Sequence, residues 1–415
     1  MTTDRGNERP DDLVQFERAF WAIATGADDL ARRTNRYHIL MGAKGPVAER
    51  RHFARWADVI AALEALDPAA LPLEPRDKRY VADIIRAFQT FARVRAGAEI
   101  SYSDQVEAFL DLREIWIPEA ELASLQQRIL AMLVDRRFPD DLARGLKAWE
   151  RGRAIDSSRI ANHCRPLIAA SLRASCDRGI PIPAAVEVDV SVRSTPYYAY
   201  AHYHGAFRGT VELTSNLLWT TEGLKHSICH EAFPGHQASA SAREWAIHAG
   251  TWAAIQLPGL ANTPVSPIAE GLAENGARIL GWIETEDDLL FSLQNRLQFG
   301  VRTNAAIMRH EHGASKERVI AYMMQEAGVP SDWAHYHEAF IADPLWHTSF
   351  PHYWHGANVI QNALSQFQGR EPALFAELYG HPHTTGTLRD WLAADAQRTR
   401  SDMVRQPTPA GGRRA

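Results

Sequence analysis

Cysteine is scarce in this sequence, and neither sign of charge is in large excess. The 415 residues include three cysteines, Cys164, Cys176 and Cys229, and no CxxC pair. So small and odd a number excludes a disulfide framework and indicates a reducing compartment. Lys and Arg total 45 against 50 Asp and Glu, which gives a net charge of −5. This balance gives no excess of positive charge that would bind nucleic acid or anionic lipid.

Long hydrophobic runs are also missing. No stretch approaches the roughly 18 consecutive apolar residues of a membrane span. The first residues, MTTDRGNERPDDL, are polar and acidic, whereas a secretory signal has an apolar core. We therefore predict a cytoplasmic protein with no membrane or nucleic-acid partner. The composition favours a small or neutral partner, and the sequence leaves the oligomeric state open.

Apolar residues recur at helical spacing along most of the chain. Runs with this spacing begin at Leu13, Phe53 and Leu122 and predict amphipathic helices in the first third. The same pattern returns after Asn216 and includes one long helix, expected over residues 287–311. The sequence therefore predicts a chain in which helices form most of the core.

One region breaks the helical period and predicts a small β-sheet. Residues 186–192 alternate valine with polar residues, which is the pattern of a half-buried strand. Two further strands are expected over 197–203 and 207–213, joined by a turn at 204–205. The fold class is therefore mainly α, with a small mid-chain sheet at about residues 185–213. The expected organisation is a disordered tail at 1–12, a helical scaffold at 13–180, a region at 181–400 that combines the small sheet with further helices, and a second disordered tail at 401–415.

The segment after this sheet, TTEGLKHSICHEAFPGHQ, contains a metal-binding pattern. Thr220 or Thr221 can cap a helix that delivers His230 and Glu231. A hydrolytic zinc site needs two imidazole ligands and an adjacent carboxylate that takes a proton from metal-bound water, and His236 is the second imidazole. We predict one zinc ion per chain as the cofactor, and residues 181–400 are therefore expected to form a metal-containing catalytic region.

The spacing of the two histidines predicts a local deformation. His230 and His236 are six residues apart, which on a regular helix is a net rotation of about 240° and puts the two rings on different faces. Pro234 interrupts the backbone hydrogen bonds, and Gly235 permits a positive φ. The sequence therefore predicts a sharp bend that swings His236 back toward His230.

A third ligand is expected from the segment SPIAEGLAENGARILGW. Glu270 and Glu274 lie at i and i+4 on one helical face. Glu270 would complete the ligand set. Glu274 would either orient a ligand histidine or form an ion pair with Arg278. A rival pair of imidazole ligands also exists, because His226 lies four residues before His230 and shares its helix face.

These motifs resemble the bacterial domain-of-unknown-function 885 family, whose members carry HExxPGHH followed by EGWALY. The counterparts here are HEAFPGHQ, EGLAEN, an HGASKERVIAYM segment and HYWHG, so the resemblance spans roughly 197–361. Members are similar to thermolysin-type and carboxypeptidase-type zinc peptidases, which are mainly helical around a deep cleft. The resemblance implies a zincin-like body in which His230, His236 and Glu270 bind zinc and Glu231 is the general base.

The resemblance also implies residues that touch the substrate. Tyr353 aligns with a family tyrosine and would donate to the oxyanion of the reaction, although a packed core aromatic would leave the same pattern. Asn216 falls within the family's motif order, and His312 and His355 belong to a C-terminal group of histidines with similar potential contacts. The strand over 207–213 would hold an extended substrate along an exposed edge.

The leading hypothesis is a zinc-dependent hydrolase, and a metallopeptidase is its simplest form. Glu231 would deprotonate a metal-activated water that attacks a peptide or amide bond. Gln237 replaces the family's second His, and Leu272, Glu274 and Asn275 replace Trp, Leu and Tyr of EGWALY. These pocket changes motivate an alternative, cleavage of an amide or C–N bond in a small non-peptide substrate. A third hypothesis is a catalytically silent binding scaffold.

Overall fold

A computed structural model describes residues 10–35, 37–41, 51–249 and 259–405. Of these residues 66% are helical, which confirms the predicted mainly α fold. The helices are α1 Asp11–Asn35, α2 Trp56–Glu64, α3 Pro75–Arg95, α4 Tyr102–Leu110, α5 Glu119–Asp135, α6 Leu142–Gly152, α7 Ile160–Asp177, α8 Thr221–Glu231, α9 His236–His248, α10 Ser266–Glu274, α11 Gly276–Leu280, α12 Glu286–His310, α13 Lys316–Ala327, α14 Ser331–Ala342, α15 Pro351–Gln366, α16 Glu371–Gly380 and α17 Thr385–Arg405. The strands are β1 Leu40–Met41, β2 Ala154–Ile155, β3 Glu187–Arg193, β4 Ala199–Gly205, β5 Arg208–Thr214, β6 Trp219–Thr220 and β7 Gly259–Leu260.

The sheet of three strands forms where the valine alternation predicted it. β3 pairs in parallel with β5, and β4 pairs antiparallel with β5, so the strand order is β3-β5-β4. The β4–β5 hairpin confirms the prediction, although its turn falls at Ala206 and Phe207, both of which have positive φ. The predicted exposed edge over residues 207–213 is wrong, because β5 is the central strand. The edge strand that packs against α8 and α9 is β4.

The long helix α12 lies at the centre of the fold. It spans Glu286–His310, which confirms the helix expected over 287–311. Thr285 begins it with a capping box, since its hydroxyl accepts from the N–H of Asp288 while the Asp288 carboxylate accepts from the N–H of Thr285. The Asn304 side chain bonds both the N–H and the carbonyl of Ile117. These bonds tie the N-terminal third of the chain to α12.

Helices α10 and α15 touch through their backbones at a pair of glycines. A Cβ on Gly271 would lie 2.2 Å from the carbonyl oxygen of Gly356, and a Cβ on Gly356 would lie 2.2 Å from the carbonyl oxygen of Pro267. Any larger side chain would therefore force the two helices apart. This close packing brings Glu270 on α10 and Tyr353 on α15 into the same part of the molecule.

Helices occupy the inner ends of the two predicted tails. The first helix begins at Asp11 and the last ends at Arg405, so the tails expected at 1–12 and 401–415 meet helices at their inner ends. Residues 1–9 and 406–415 lie outside the described residues. Their disorder, like the division into a scaffold and a catalytic region, stays a prediction. Within the described ranges, no helix combines the length and the hydropathy needed to cross a bilayer.

Candidate metal centre

A break between α8 and α9 brings the two predicted imidazole ligands together. α8 ends at Glu231 and α9 begins at His236, which confirms the bend predicted at Pro234 and Gly235. Gly235 has a φ of −74°, so the predicted positive φ is wrong. A Cβ at this position would lie 1.7 Å from the carbonyl oxygen of His230. Glycine is needed here because the chain folds back tightly on the end of α8.

Donor atoms from α8, α9 and α10 form a compact triangle. Nε2 of His230 lies 3.2 Å from Nε2 of His236. The Glu270 carboxylate lies 3.4 Å from Nε2 of His230 through Oε2 and 3.6 Å from Nε2 of His236 through Oε1. A tetrahedral zinc ion with bonds of about 2.0–2.1 Å separates its ligand atoms by about 3.3–3.4 Å. Since Oε2 of Glu270 is also buried without a hydrogen bond, these three residues fit zinc.

The charges around the triangle favour a cation. Glu231, Glu270 and Glu274 place three carboxylates in or beside it, and each side chain is at most 17% exposed. Burial raises the pKa of Glu270, but His236 and His230 more than offset this and leave its pKa lowered. Burial lowers the pKa of His230, yet Glu270 and Glu274 raise it well above the ordinary value. A bound cation would balance this buried negative charge.

Glu231 occupies the position expected of a base. Its Oε1 lies 4.0 Å from Nε2 of His230, beside the triangle rather than within it. Its side chain is buried, and burial raises its pKa while His230 and His236 act in the opposite direction. A carboxylate with a raised pKa is the better proton acceptor and can return the proton later in a reaction.

Glu274 lies behind His230, on the side away from the triangle. Its Oε1 is 2.9 Å from Nδ1 of His230, a close contact that is poorly aligned for a hydrogen bond. Nδ2 of Asn295 donates to its Oε2 at 3.1 Å. In the described part of the chain Glu274 makes no ion pair with Arg278. These contacts favour the orienting role over the surface ion pair.

Replacing Glu274 by glutamine is expected to weaken zinc binding by about 10–100-fold, because the carboxylate that faces Nδ1 of His230 is lost while the ligands remain. Competition with a chromophoric chelator measures this affinity. The matched control is Glu284→Gln, because Glu284 is exposed and pairs with Lys225 at 3.0 Å. Equal zinc affinity in the two variants would show that Glu274 does not support the ligand.

The rival ligand set, His226 with His230 and Glu274, is also compact. Nε2 of His226 lies 3.5 Å from Oε2 of Glu274. However, Nδ2 of Asn295 lies 3.2 Å from that same Nε2 and also donates to Glu274. Asn295 therefore already engages two donor atoms of the rival set, Nε2 of His226 and Oε2 of Glu274. The set that includes His236 is the better candidate, because Oε2 of Glu270 has no such partner.

Tyr353 lies on α15, one turn from the glycine contact that brings this helix to Glu270 on α10. Its ring stacks on Phe299 with centroids 4.9 Å apart and meets His352 edge-on at 4.3 Å. Burial raises the pKa of Tyr353 well above its ordinary value, and the nearby Glu270 carboxylate raises it further. The hydroxyl therefore stays protonated and can donate a hydrogen bond. Tyr353 is therefore packed like a core aromatic and also lies near the triangle.

Three predicted substrate contacts lie elsewhere. Asn216 is exposed, and its Nδ2 donates to the carbonyl of Thr195 at 3.2 Å, because it closes the turn after β5. His312 is exposed against a tryptophan ring beyond the end of α12. Nε2 of His355 lies 2.9 Å from the carbonyl oxygen of Ile115, since its position on α15 faces the N-terminal helices. The structure does not bring these three side chains to the triangle.

Other residues near the triangle were not identified from the sequence. Both ring nitrogens of His352 are buried without a hydrogen bond, and burial lowers its pKa to about 4, so the ring is neutral. Its place immediately before Tyr353 in HYWHG is a signal that could have identified it. Asn295, which contacts Glu274, carries no signal. Gln237, which the sequence places where the family motif has its second His, donates from Nε2 to the carbonyl of His202 at 2.9 Å and links α9 to β4.

Comparisons with known proteins inform the fold. No family model matches the chain, and no curated protein sequence matches it. A candidate lipoprotein from Colwellia psychrerythraea is similar with a TM-score of 0.54 at 16% identity, over 76% of this chain and 55% of that one. A candidate lipoprotein of unknown function from Shewanella oneidensis gives 0.55 at 13% identity, over 81% and 69%. The chain thus spans about half of the first neighbour's length. At such identities the likeness shows a shared fold alone.

Proposed function

We propose that this chain is a zinc-dependent hydrolase that cleaves peptide or amide bonds. The observation that carries the proposal is the triangle of His230, His236 and Glu270 donor atoms, 3.2 to 3.6 Å apart, with Glu231 beside it. Two imidazoles, one carboxylate ligand and a second, free carboxylate form the donor set of hydrolytic zinc sites. We also propose kinship with the domain-of-unknown-function 885 family. The meeting of the HEAFPGH and EGLAEN segments at one centre supports it.

The residues around the triangle divide the chemistry among them. When bound, zinc would supply a Lewis acid that polarises the substrate carbonyl and promotes ionisation of water. Glu231 accepts the proton of the attacking water and returns it to the leaving amine. Glu274 holds the His230 ring in orientation through its contact with Nδ1. Tyr353 donates its O–H to the oxyanion that develops on the carbonyl.

Hydrolysis of unstructured peptides tests this function. We expect cleavage products by mass spectrometry with the zinc-loaded protein, loss of cleavage after treatment with a chelator, and recovery when zinc is restored, because the ligands persist without the ion. Cleavage that continues at full rate in the chelated protein would contradict the proposal. Complete inertness of the zinc-loaded protein toward a broad peptide panel would contradict a peptidase activity.

Replacing Tyr353 by phenylalanine is expected to lower kcat by about 10²–10³-fold, the effect of losing one oxyanion donor. Zinc content and thermal stability should change little, because the ring packing against Phe299 is retained. Steady-state kinetics measure the effect. Tyr322→Phe is the control, since it removes the hydroxyl of another largely buried tyrosine, on α13. An unchanged kcat in the Tyr353 variant would reduce this residue to a packed core aromatic.

A further inference from the structure

Arg302 is a buried cation in the middle of α12. Its side chain lies among residues of α12, α14 and α15, and the residue is only 9% exposed. The centroids of its aromatic neighbours lie 4.7 to 5.9 Å from the guanidinium carbon, and these rings belong to Phe299, Trp333, Phe350 and Tyr353. Such contacts stabilise a cation only modestly.

No carboxylate neutralises this guanidinium within the part of the chain that the structure describes. Nε donates to the carbonyl of Gln298 at 3.3 Å, and Nη1 donates to Nδ1 of His337 at 3.3 Å. Burial and the nearby guanidinium lower the pKa of His337 well below the ordinary value, so that ring is neutral. A buried charge without a counter-ion is costly. Nη2 has no hydrogen-bond partner among the described residues and stays available for a ligand.

The guanidinium is not fully enclosed, because Nη2 is absent from the fully buried polar atoms that lack a hydrogen bond. Phe299 and Phe350 beside it are buried. Four other side chains near it are half buried, and these residues, Tyr198, Trp333, Tyr336 and Tyr353, define what we call the aromatic recess. Tyr198 stacks on Tyr336 with centroids 5.1 Å apart, and its hydroxyl lies 3.2 Å from Nε2 of His337. Contacts of Tyr198 with Tyr336 and His337 therefore hold these side chains of the recess in place.

The aromatic recess and the metal centre share a wall. Tyr353 lies over Arg302 on one side, with its ring centroid 5.4 Å from the guanidinium carbon. On the other side it lies one turn before Gly356 on α15, whose backbone meets that of Gly271, the neighbour of Glu270 on α10. A substrate whose carbonyl lies at the triangle would therefore extend alongside Tyr353 and contact Arg302.

We propose that Arg302 binds a carboxylate of the substrate, and that the enzyme therefore acts on molecules with a free carboxylate close to the bond that is cleaved. A planar guanidinium matches a carboxylate with two parallel N–H···O bonds, and desolvation strengthens them. The aromatic walls favour a carboxylate carried on an apolar group. The catalytic part of this inference rests on the proposed function, whereas carboxylate binding by itself does not.

Binding of a small acid tests the inference without catalysis. We would titrate 3-phenylpropionate and its neutral analogue, 3-phenylpropanamide, into metal-free protein by calorimetry, so that zinc cannot capture the carboxylate. The wild type should bind the acid about 10–100-fold more tightly than the amide. Arg302→Gln should abolish that preference. Equal binding of acid and amide by the wild type, or a preference that survives in Arg302→Gln, would overturn the inference.

Two further variants keep this test decisive. Arg296→Gln is the matched control, because Arg296 also lies on α12 with its guanidinium 3.7 Å from the Trp354 ring but donates to Asn358 at 2.7 Å. It should keep the preference for the acid. Arg302→Lys keeps the charge and should retain a weaker preference. If Arg302→Gln fails to fold, the acid preference of the wild type and its reduction in Arg302→Lys decide the question.

Kinetics with paired peptides separate this inference from the proposed function. Amidation of the C-terminal carboxylate should lower kcat/KM at least about tenfold in the wild type, and should have no such effect in Arg302→Gln. Acid-selective binding without any peptide hydrolysis would contradict the proposed function and support the carboxylate site. Hydrolysis at equal rates of free and amidated peptides, with no acid preference in binding, would support the function and overturn the carboxylate site.

Discussion

Replacing Glu231 by glutamine is expected to lower kcat by on the order of 10²–10⁴-fold, the usual contribution of a general acid–base residue. Glutamine keeps the size and one acceptor oxygen of the buried side chain but cannot take a proton from water. Zinc should remain bound, because Glu231 lies beside the triangle of donor atoms and is not one of them. Steady-state kinetics with a cleaved peptide, together with metal analysis of the same sample, measure both quantities.

The interpretation of this variant depends on its metal content. Glu284→Gln, an exposed glutamate near the start of α12, is the control and should keep full activity. A Glu231→Gln protein that turns over at the wild-type rate with zinc bound would contradict the assigned base. Loss of zinc in this variant would instead make Glu231 a ligand and contradict the geometry of the triangle.

His236→Ala is expected to abolish stoichiometric zinc binding, whereas His226→Ala should retain it. His236 contributes Nε2 to the triangle, 3.2 Å from His230 and 3.6 Å from Glu270. His226 contacts Glu274, which itself only supports His230. Removing it should therefore cost no more than the roughly 10–100-fold in affinity that outer contacts of a zinc site contribute. Equilibrium dialysis against buffered zinc, followed by elemental analysis, compares the two variants.

The two histidine variants distinguish the assigned ligand set, which includes His236, from the rival set, which includes His226. If His226→Ala loses zinc and His236→Ala keeps it, the ion binds on the other side of His230, between His226 and Glu274. That outcome would contradict the assigned ligand set while leaving a metal site in place. Circular dichroism of both variants checks that a loss of zinc does not result from unfolding. Neither substitution should unfold the long helices of the core.

Most of the fold follows from local patterns in the sequence. The helical spacing that begins at Leu13 predicts α1, and the alternating valines of residues 186–192 predict β3. The order of the strands could not be predicted in this way. β5 lies between β3 and β4 through pairing that is parallel on one side and antiparallel on the other. Such pairing joins distant residues, and no local period encodes it.

The sequence predicts those parts of the candidate site that lie within short motifs. HEAFPGH places a base, two imidazoles and a bend within one segment, and the structure confirms the bend. Gly235 shows the limit of local reasoning, because its small size is required by a backbone contact rather than by its φ. Asn295 and Arg302 show a second limit. Both lie within α12, and only the packing of other helices gives them neighbours of chemical interest.

Metal analysis of the wild-type protein tests the central claim most directly. The protein would be purified without added metal, and its zinc content measured by inductively coupled plasma mass spectrometry against protein concentration. We predict about one zinc ion per chain, because the triangle of donor atoms from His230, His236 and Glu270 in a buried, negatively charged setting fits one tetrahedral ion. The absence of zinc, even after incubation with excess zinc and removal of the unbound ion, would contradict the metal centre and the hydrolase proposed from it.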